Sequence, residues 1–272
     1  MRKLFLSGIT VLLLSAFTEE SKQVIYPNLK NNSFTKGEQI DYRVNFGIFT
    51  VGKATTRVDN KYYTINSRPC YKIDGFGSTS GLVAWVSKVD DQWGAYVDTS
   101  AIVTHMSYRK IKEGKYRKDE LVTFDHMSKK AEVKLLDQGT GSYKDPQYFD
   151  IPDNVRDIVA GFFYLRVLSF SKFHRGDTIP VSGFFEDTAY KMRIIYKGKE
   201  VVDTKIGKIR CHVLVPIMPD NKLFDGENSV TAWISDDKNQ IPVNVQAKMF
   251  IGSTGLELSK VKGLKHKLEI ID

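Results

Sequence analysis

Two acidic pairs, Asp90-Asp91 and Asp236-Asp237, carry carboxylates that could take part in catalysis or in metal binding. Paired carboxylates can flank a glycosidic bond as acid and base, or they can hold calcium. Each pair follows a Trp-hydrophobe-Ser segment, which contains Trp85 in one case and Trp233 in the other. Acidic residues between two apolar runs are typical of solvated turns, so the turn interpretation is favoured.

The histidines and serines form no catalytic pattern. Ser-x-x-Lys begins at Ser107, Ser169 and Ser235, but the companion motifs of acylating serine enzymes do not accompany it. The segment 77–81, Gly-Ser-Thr-Ser-Gly, has threonine at the nucleophile position of Gly-x-Ser-x-Gly. The histidines lack the HExxH and HxH spacings of metal sites. The sequence therefore predicts a protein that is not an enzyme, with no catalytic residue, no metal site and no cofactor.

Aromatic side chains are the remaining signal. Most of them are expected in an ordinary core, because aromatic residues dominate core burial. If the fold contains a groove, its walls must come from this set, and an apolar concave site is the default binding hypothesis. The predicted ligand-binding residues are Tyr42, Phe46, Trp85, Phe162, Phe163 and Trp233.

One helix must position part of this set. The segment 153–170 has apolar residues on almost every side, and Asp153 or Asn154 could cap its start. A helix that is apolar all round is usually buried between layers. We expect 151–172 to be a connecting helix between two β-rich halves.

The two halves, 37–150 and 173–272, are predicted β meanders. Strict alternation in Gln39–Phe46 puts Ile40, Tyr42, Val44 and Phe46 on one face of a strand. Further strands are predicted at 49–58, 62–66, 189–196 and 200–205, with turns at 60–61 and 197–199. The segment 137–150 is predicted to be a loop.

A weak internal repeat relates the halves. Cys70 precedes Trp85 by 15 positions, and Cys211 precedes Trp233 by 22. This pattern predicts a mainly β protein with a large curved antiparallel sheet or partial barrel, built from two similar meanders in one merged domain, with one central helix on the concave face. The two cysteines could be bridged or could be buried as small hydrophobes, and both alternatives stay open.

The N-terminus predicts export. Arg2 and Lys3 precede a short apolar run, so 1–18 reads as a signal peptide, followed by an irregular lead-in over 19–36. We expect a periplasmic or otherwise exported protein that is soluble after cleavage and has no transmembrane segment. The net charge is +8, spread as single basic residues, which does not fit nucleic-acid binding. Peripheral attraction to anionic lipid head groups or acidic glycans remains open.

Several segments together resemble the uncharacterised bacterial exported-protein family called domain of unknown function 3108. They comprise 37–42 with 46–47 and 51–52, 157–166, 207–216, and 232–237 continuing to 241–243, and the resemblance extends over nearly all of the mature chain. This resemblance says nothing about activity, because no activity is established for the family. The Trp-x-Ser-Asp turn followed by Pro-Val is also similar, more weakly, to half-barrel periplasmic lipoprotein carriers, which hold acyl chains in a curved-sheet groove.

The leading hypothesis is therefore a non-catalytic envelope protein that binds a lipid or acyl chain in a groove of the curved sheet. One alternative is a glycan-binding or glycan-acting protein that uses the acidic turns, with Asp90 and Asp237, and exposed tryptophans. Another alternative is a structural scaffold for envelope proteins, which a contiguous exposed apolar patch away from any groove would favour.

Overall fold

A computed structural model of the protein describes residues 24, 26–217, 229–249 and 252–271, and the predicted signal peptide lies outside these residues. The described part contains fourteen strands in one sheet. The first meander comprises β1 (Gln39–Phe46), β2 (Phe49–Ile65), β3 (Arg68–Thr79), β4 (Asp90–Asp98), β5 (Thr104–Glu113), β6 (Tyr116–Asp125), β7 (Lys130–Leu135) and β8 (Gln147–Asp150). The second comprises β9 (Thr178–Phe185), β10 (Thr188–Thr204), β11 (Gly207–Pro216), β12 (Val230–Ser235), β13 (Pro242–Lys248) and β14 (Ser253–Lys262). The helices are α1 (Val83–Val86), α2 (Ile158–Leu165) and a 3-10 turn at Phe170–Lys172.

The sheet is antiparallel throughout, and it confirms the predicted fold class. Its strand order is β8-β7-β6-β5-β4-β3-β2-β1-β14-β13-β12-β11-β10-β9. Within each meander, every strand pairs with its neighbours in sequence. At the centre β1 pairs with β14, with Ile40 opposite Val261 and Val44 opposite Leu256. The two meanders therefore form one continuous sheet rather than two domains.

The sheet curls until its two ends approach each other. The ring of Phe184 on β9 lies 5.6 Å from that of Phe124 on β6 and 6.1 Å from that of Phe149 on β8, measured between centroids. Between the ends, Arg156 bonds to the free edge of β9 through Ser182 O at 3.0 Å and Phe184 N at 2.8 Å. No ladder joins β8 to β9 within the described residues, so the sheet forms a partial barrel that is not closed.

Helix α2 lies inside this curl. Its Ala160 and Phe163 pack in a buried cluster with residues of the first meander, such as Ile73. Its Leu165 packs with residues of the second, such as Leu214. Contact with both meanders is possible only from the concave side, as the apolar character of the helix predicts.

The alternation of antiparallel strands gives the curl two rims. The upper rim carries the β1–β2, β3–β4, β5–β6 and β9–β10 connections. The lower rim carries the β2–β3, β4–β5, β6–β7 and β12–β13 connections.

The predicted helix is too long at both ends. Helix α2 begins at Ile158, and its cap is Asp157 rather than Asp153 or Asn154. The Asp157 carboxylate accepts hydrogen bonds from the backbone of Val159 and Ala160, each at 3.1 Å. Residues 151–157 are not helical, because their backbone bonds neighbouring segments: Arg156 bonds the edge of β9, Ile151 N donates to Lys129 O, and Val155 O accepts from Thr104 N.

Several predicted turns are wrong. Strand β2 runs through 60–61 and β10 runs through 197–199, because the register shifts at bulges between Val58 and Tyr62 and between Tyr196 and Gly198 absorb the extra residues. The pair Asp90-Asp91 starts β4, and the predicted loop 137–150 contains β8.

The proposed correspondence between the two tryptophans is also wrong. Trp85 lies on the short helix α1, whereas Trp233 lies in the middle of β12. Cys70 and Cys211 are both buried and unpaired, on β3 and β11, so they are not bridged. Each thiol serves as a small apolar core group.

Candidate ligand-binding cavity

Two apolar cavities flank α2 inside the curl. The first, of about 160 Å³, lies between α2 and the second meander, where Val181, Met192 and Leu214 form part of its wall. The second, of about 180 Å³, lies between α2 and the centre of the sheet, where Ile40, Tyr42 and Leu256 line it. The walls of both cavities are almost entirely apolar.

The two cavities meet at α2. Ile158, Phe162 and Val245 line both of them. Although Ile158 and Phe162 lie inside the curl, they are 40% and 37% exposed. Apolar side chains at an interior position normally pack against neighbours, so the helix presents a row of apolar surface that its own fold leaves uncovered.

A buried arginine stands at one end of the first cavity. Arg156 donates from Nε to Ile102 O at 2.7 Å and from Nη1 to Asn154 O at 2.8 Å, and its guanidinium lies 3.8 Å from the ring centroid of Tyr164. It forms no ion pair with a carboxylate in the described part of the chain. Burial lowers the pKa of Arg156 to about 10, so the group remains cationic at neutral pH.

A second arginine lines the other cavity, but its charge is neutralised. Arg166 and Glu38 are each 1% exposed and form a bidentate pair, with Nη2 of Arg166 2.9 Å from Oε2 of Glu38. The same guanidinium donates to Asn239 O at 3.1 and 3.2 Å and to Ser33 O at 3.3 Å. Arg166 therefore ties the end of α2 to the lead-in, to the start of β1 and to the β12–β13 turn.

The tyrosine in the second cavity is held neutral. Burial is the main cause that raises the pKa of Tyr42 far above its ordinary value of 10. A neutral phenol offers this apolar wall a single hydrogen-bonding group.

A stack of side chains bridges the inside of the curl near the upper rim. The rings of Trp93 and Phe185 stack with their centroids 5.8 Å apart, and the Arg109 guanidinium lies beside both, 5.2 and 4.8 Å from those centroids. Arg109 also bonds both oxygens of Glu120, at 2.7 and 2.8 Å, and Glu186 at 2.5 Å. Because Glu186 belongs to the second meander, this stack joins β4, β5 and β6 to the β9–β10 turn beside the cavities.

Three of the predicted binding residues come together, and three do not. Tyr42, Phe162 and Phe163 all line the second cavity. Phe46 and Trp85 lie exposed at the upper rim. Trp233 packs elsewhere on β12 and donates from Nε1 to Glu200 at 2.9 Å.

Several aliphatic side chains on the cavity walls were not among the predicted residues. Ile158 lies four positions before Phe162, which is the spacing of one helix face, so helical periodicity could have found it. Val245 and Leu256 face each other across β13 and β14, and their position on the wall follows from a strand pairing that the sequence did not give.

The acidic pairs are separated by the whole height of the sheet. Asp90 starts β4 at the upper rim, whereas Asp237 lies in the β12–β13 turn at the lower rim. Burial of Asp236 opposes ionisation of its carboxyl, but Lys199 at 2.7 Å, Arg210 at 2.9 Å and His212 at 2.9 Å lower the pKa on balance. Asp90 and Asp237 therefore cannot act on the same bond.

Neither helix has the length and apolar content needed to cross a bilayer, within the residues that the structure describes.

Comparison with known proteins adds a family and a fold. Residues 41–259 match the family described as protein of unknown function (DUF3108), and the chain belongs to this family. A beta-barrel-like protein of domain of unknown function DUF1849 from Brucella abortus is similar in structure, with a TM-score of 0.55 and 11% identity over 88% of this chain and 99% of that one. A Bacteroides fragilis protein with a YmcC-like fold matches at a TM-score of 0.34 and 10% identity, over 88% and 100% of the chains. No curated protein is significantly similar in sequence.

Proposed function

We propose that this DUF3108 protein is a non-catalytic envelope protein that binds a lipid or another acylated molecule between α2 and the concave face of its sheet. The observation that carries the proposal is the pair of apolar cavities of about 160 and 180 Å³ that meet at Ile158 and Phe162. A concave, largely apolar site with a few polar groups is the common form of a small-molecule site.

Arg156 beside the first cavity favours an amphipathic ligand with an anionic end, and the Asp157 carboxylate on the same wall is already bonded to Thr104 and to the start of α2. Arg156 keeps a buried positive charge beside the first cavity, where two backbone carbonyls and an aromatic ring are its neighbours. A buried charge without a counter-ion is costly, and a carboxylate or phosphate would offset that cost. The acyl chain would then run past Ile158 and Phe162 toward Leu256.

Gly161 provides a sharp test. It lies on α2 and lines the first cavity, and a Cβ placed there meets no atom within 4 Å. Leucine at this position would fill the cavity without displacing the sheet. Alanine would give nearly the same backbone and leave most of the cavity open, so Gly161→Ala is the matched control for Gly161→Leu.

The measurement is native mass spectrometry of the protein purified from its own envelope, before and after denaturing extraction. We expect an acyl species on the wild type and on Gly161→Ala, and its loss from Gly161→Leu. Repeated recovery of no bound species from the wild type would contradict the proposal, as would equal ligand content in Gly161→Leu.

A further inference from the structure

The upper rim carries a group of large apolar side chains that the fold leaves in solvent. Ile48 and Phe49 in the β1–β2 hairpin are 92% and 69% exposed. Leu82, Trp85 and Val86, in and beside α1, are 86%, 91% and 91% exposed. Scattered exposed apolar residues are ordinary, but a group on one surface marks an interaction site. We call these five side chains the apolar tip.

Backbone hydrogen bonds hold the two parts of the apolar tip side by side. Ser80 N donates to Val51 O at 2.9 Å, which fixes the β3–β4 connection beside the β1–β2 hairpin. Gly114 N donates to Lys88 O at 2.8 Å, which fixes the same connection to the β5–β6 turn. The exposed side chains thus stand on two neighbouring connections, with the β5–β6 turn beside them, at one place on the rim.

Basic side chains surround the apolar tip. Segments 80–91 and 110–117 contain five basic and three acidic residues. Lys53 on the neighbouring strand β2 adds another cation. Six exposed cations flank the tip, and none pairs with a carboxylate in the part of the chain that the structure describes: Lys53, Lys88, Lys110, Lys112, Lys115 and Arg117.

We propose that the apolar tip and its basic surround dock the protein on an anionic lipid bilayer, with Trp85 and its neighbours entering the head-group region. Tryptophan and aliphatic side chains enter the interface while lysines interact with anionic head groups, and the two contributions strengthen each other. Lysine is depleted in protein–protein interfaces, so the charge around the tip favours a membrane over a protein partner.

The first cavity reaches the same rim. Phe185, Tyr190 and Pro216, which line it, lie at or near the upper ends of β9, β10 and β11. Docking through the apolar tip would therefore turn the cavity toward the membrane that holds the ligand. The docking proposal itself rests on the rim and does not require the cavity to be filled.

The test is sedimentation with vesicles of phosphatidylcholine alone and of phosphatidylcholine mixed with phosphatidylglycerol. We expect the wild type to bind the anionic vesicles, and Trp85→Ser with Val86→Ser to weaken binding by about tenfold or more, because apolar insertion is lost. Lys112→Gln and Lys115→Gln should each weaken it by roughly fivefold on anionic vesicles only.

Met127→Ser is the matched control. Met127 is exposed, but it lies on the lower rim in the β6–β7 turn, so its replacement should leave vesicle binding unchanged. All variants keep the same N-terminus, so its apolar run cannot account for a difference between them. Each replaced side chain is exposed, and such substitutions change stability little.

Three results would overturn the docking proposal. They are failure of the wild type to bind anionic vesicles, equal binding by the tip variants, and a lipid-free dimer that Trp85→Ser with Val86→Ser dissociates. Native mass spectrometry of the same variants separates the two proposals. Vesicle binding by a wild type that carries no acyl species would contradict only the cavity function.

Discussion

The buried pair between Arg166 and Glu38 predicts a large and specific loss of stability. Arg166→Leu leaves the Glu38 carboxylate, which is only 1% exposed, without its cation. It also removes the donors that hydrogen-bond to Asn239 O and Ser33 O. Breaking one side of a buried ion pair costs about 3–5 kcal/mol. Since whole domains are stable by about 5–15 kcal/mol, this single change should remove a large part of the free energy of unfolding.

Urea denaturation followed by tryptophan fluorescence measures this loss. Arg43→Leu is the matched control, because Arg43 pairs with Glu257 on a partly exposed face where both side chains are 22% exposed, and such pairs contribute about 0–1 kcal/mol. Arg166→Leu combined with Glu38→Leu should recover part of the loss, since no unpaired charge remains. A cost below about 1 kcal/mol for Arg166→Leu, or a cost equal to that of Arg43→Leu, would refute the reasoning.

Four other side chains give further predictions. Asp157→Ala should lower the free energy of unfolding by about 1–2 kcal/mol through loss of the α2 cap, whereas Asp157→Asn should retain most of it; equal losses in urea denaturation would exclude a capping role. Burial raises the pKa of the Cys70 and Cys211 thiols to about 12, so a thiol reagent at pH 8 should label them only after unfolding, and rapid labelling of the native protein would disprove this. Burial lowers the pKa of His126 below its ordinary value of 6.5, so as the pH falls the unfolded chain binds a proton at this histidine before the folded chain does. The free energy of unfolding should therefore decrease as the pH drops through 6.5, by at most about 1.4 kcal/mol per pH unit. In urea denaturation at pH 7.5 and 5.5, His126→Gln should show a smaller difference than the wild type, and an unchanged difference would remove His126 as the cause.

Side-chain periodicity was enough to predict the regular strands. In β1 the alternation of Ile40 and Tyr42 with polar residues predicted both the bounds and the buried face. The same periodicity could not predict β2 and β10, because a bulge inserts residues without ending the strand. Polar residues at 60–61 and 197–199 therefore read as turns.

The helix shows a different limit. Ile151 and Val155 are buried apolar residues, as the helix prediction requires, but they lie in irregular, non-helical chain that packs against Phe184. Periodicity cannot distinguish a buried helix from a short extended apolar segment. The free edge of β9, to which Arg156 of this segment hydrogen-bonds, exists only in the folded sheet.

The predicted binding residues divide along the same line. Phe162 and Phe163 line the second cavity because they belong to the helix that the curl encloses. Trp85 was expected beside them, yet α1 carries it to the upper rim. The direction of a side chain on a loop depends on hydrogen bonds such as the one between Ser80 and Val51, which the sequence pattern does not contain.

The central pairing of β1 with β14 has a consequence for the order of folding. Gln39 lies opposite Lys262, so the middle of the sheet is made by residues more than two hundred positions apart. The entropy of closing so long a loop must be offset before this contact gives any stability, and topologies dominated by such contacts fold slowly. Until the last strand arrives, the meander of β1 to β8 presents β1 as an open edge that another chain could pair with. Pairing with β14 therefore removes the open edge of β1 and the chance that another chain pairs with it.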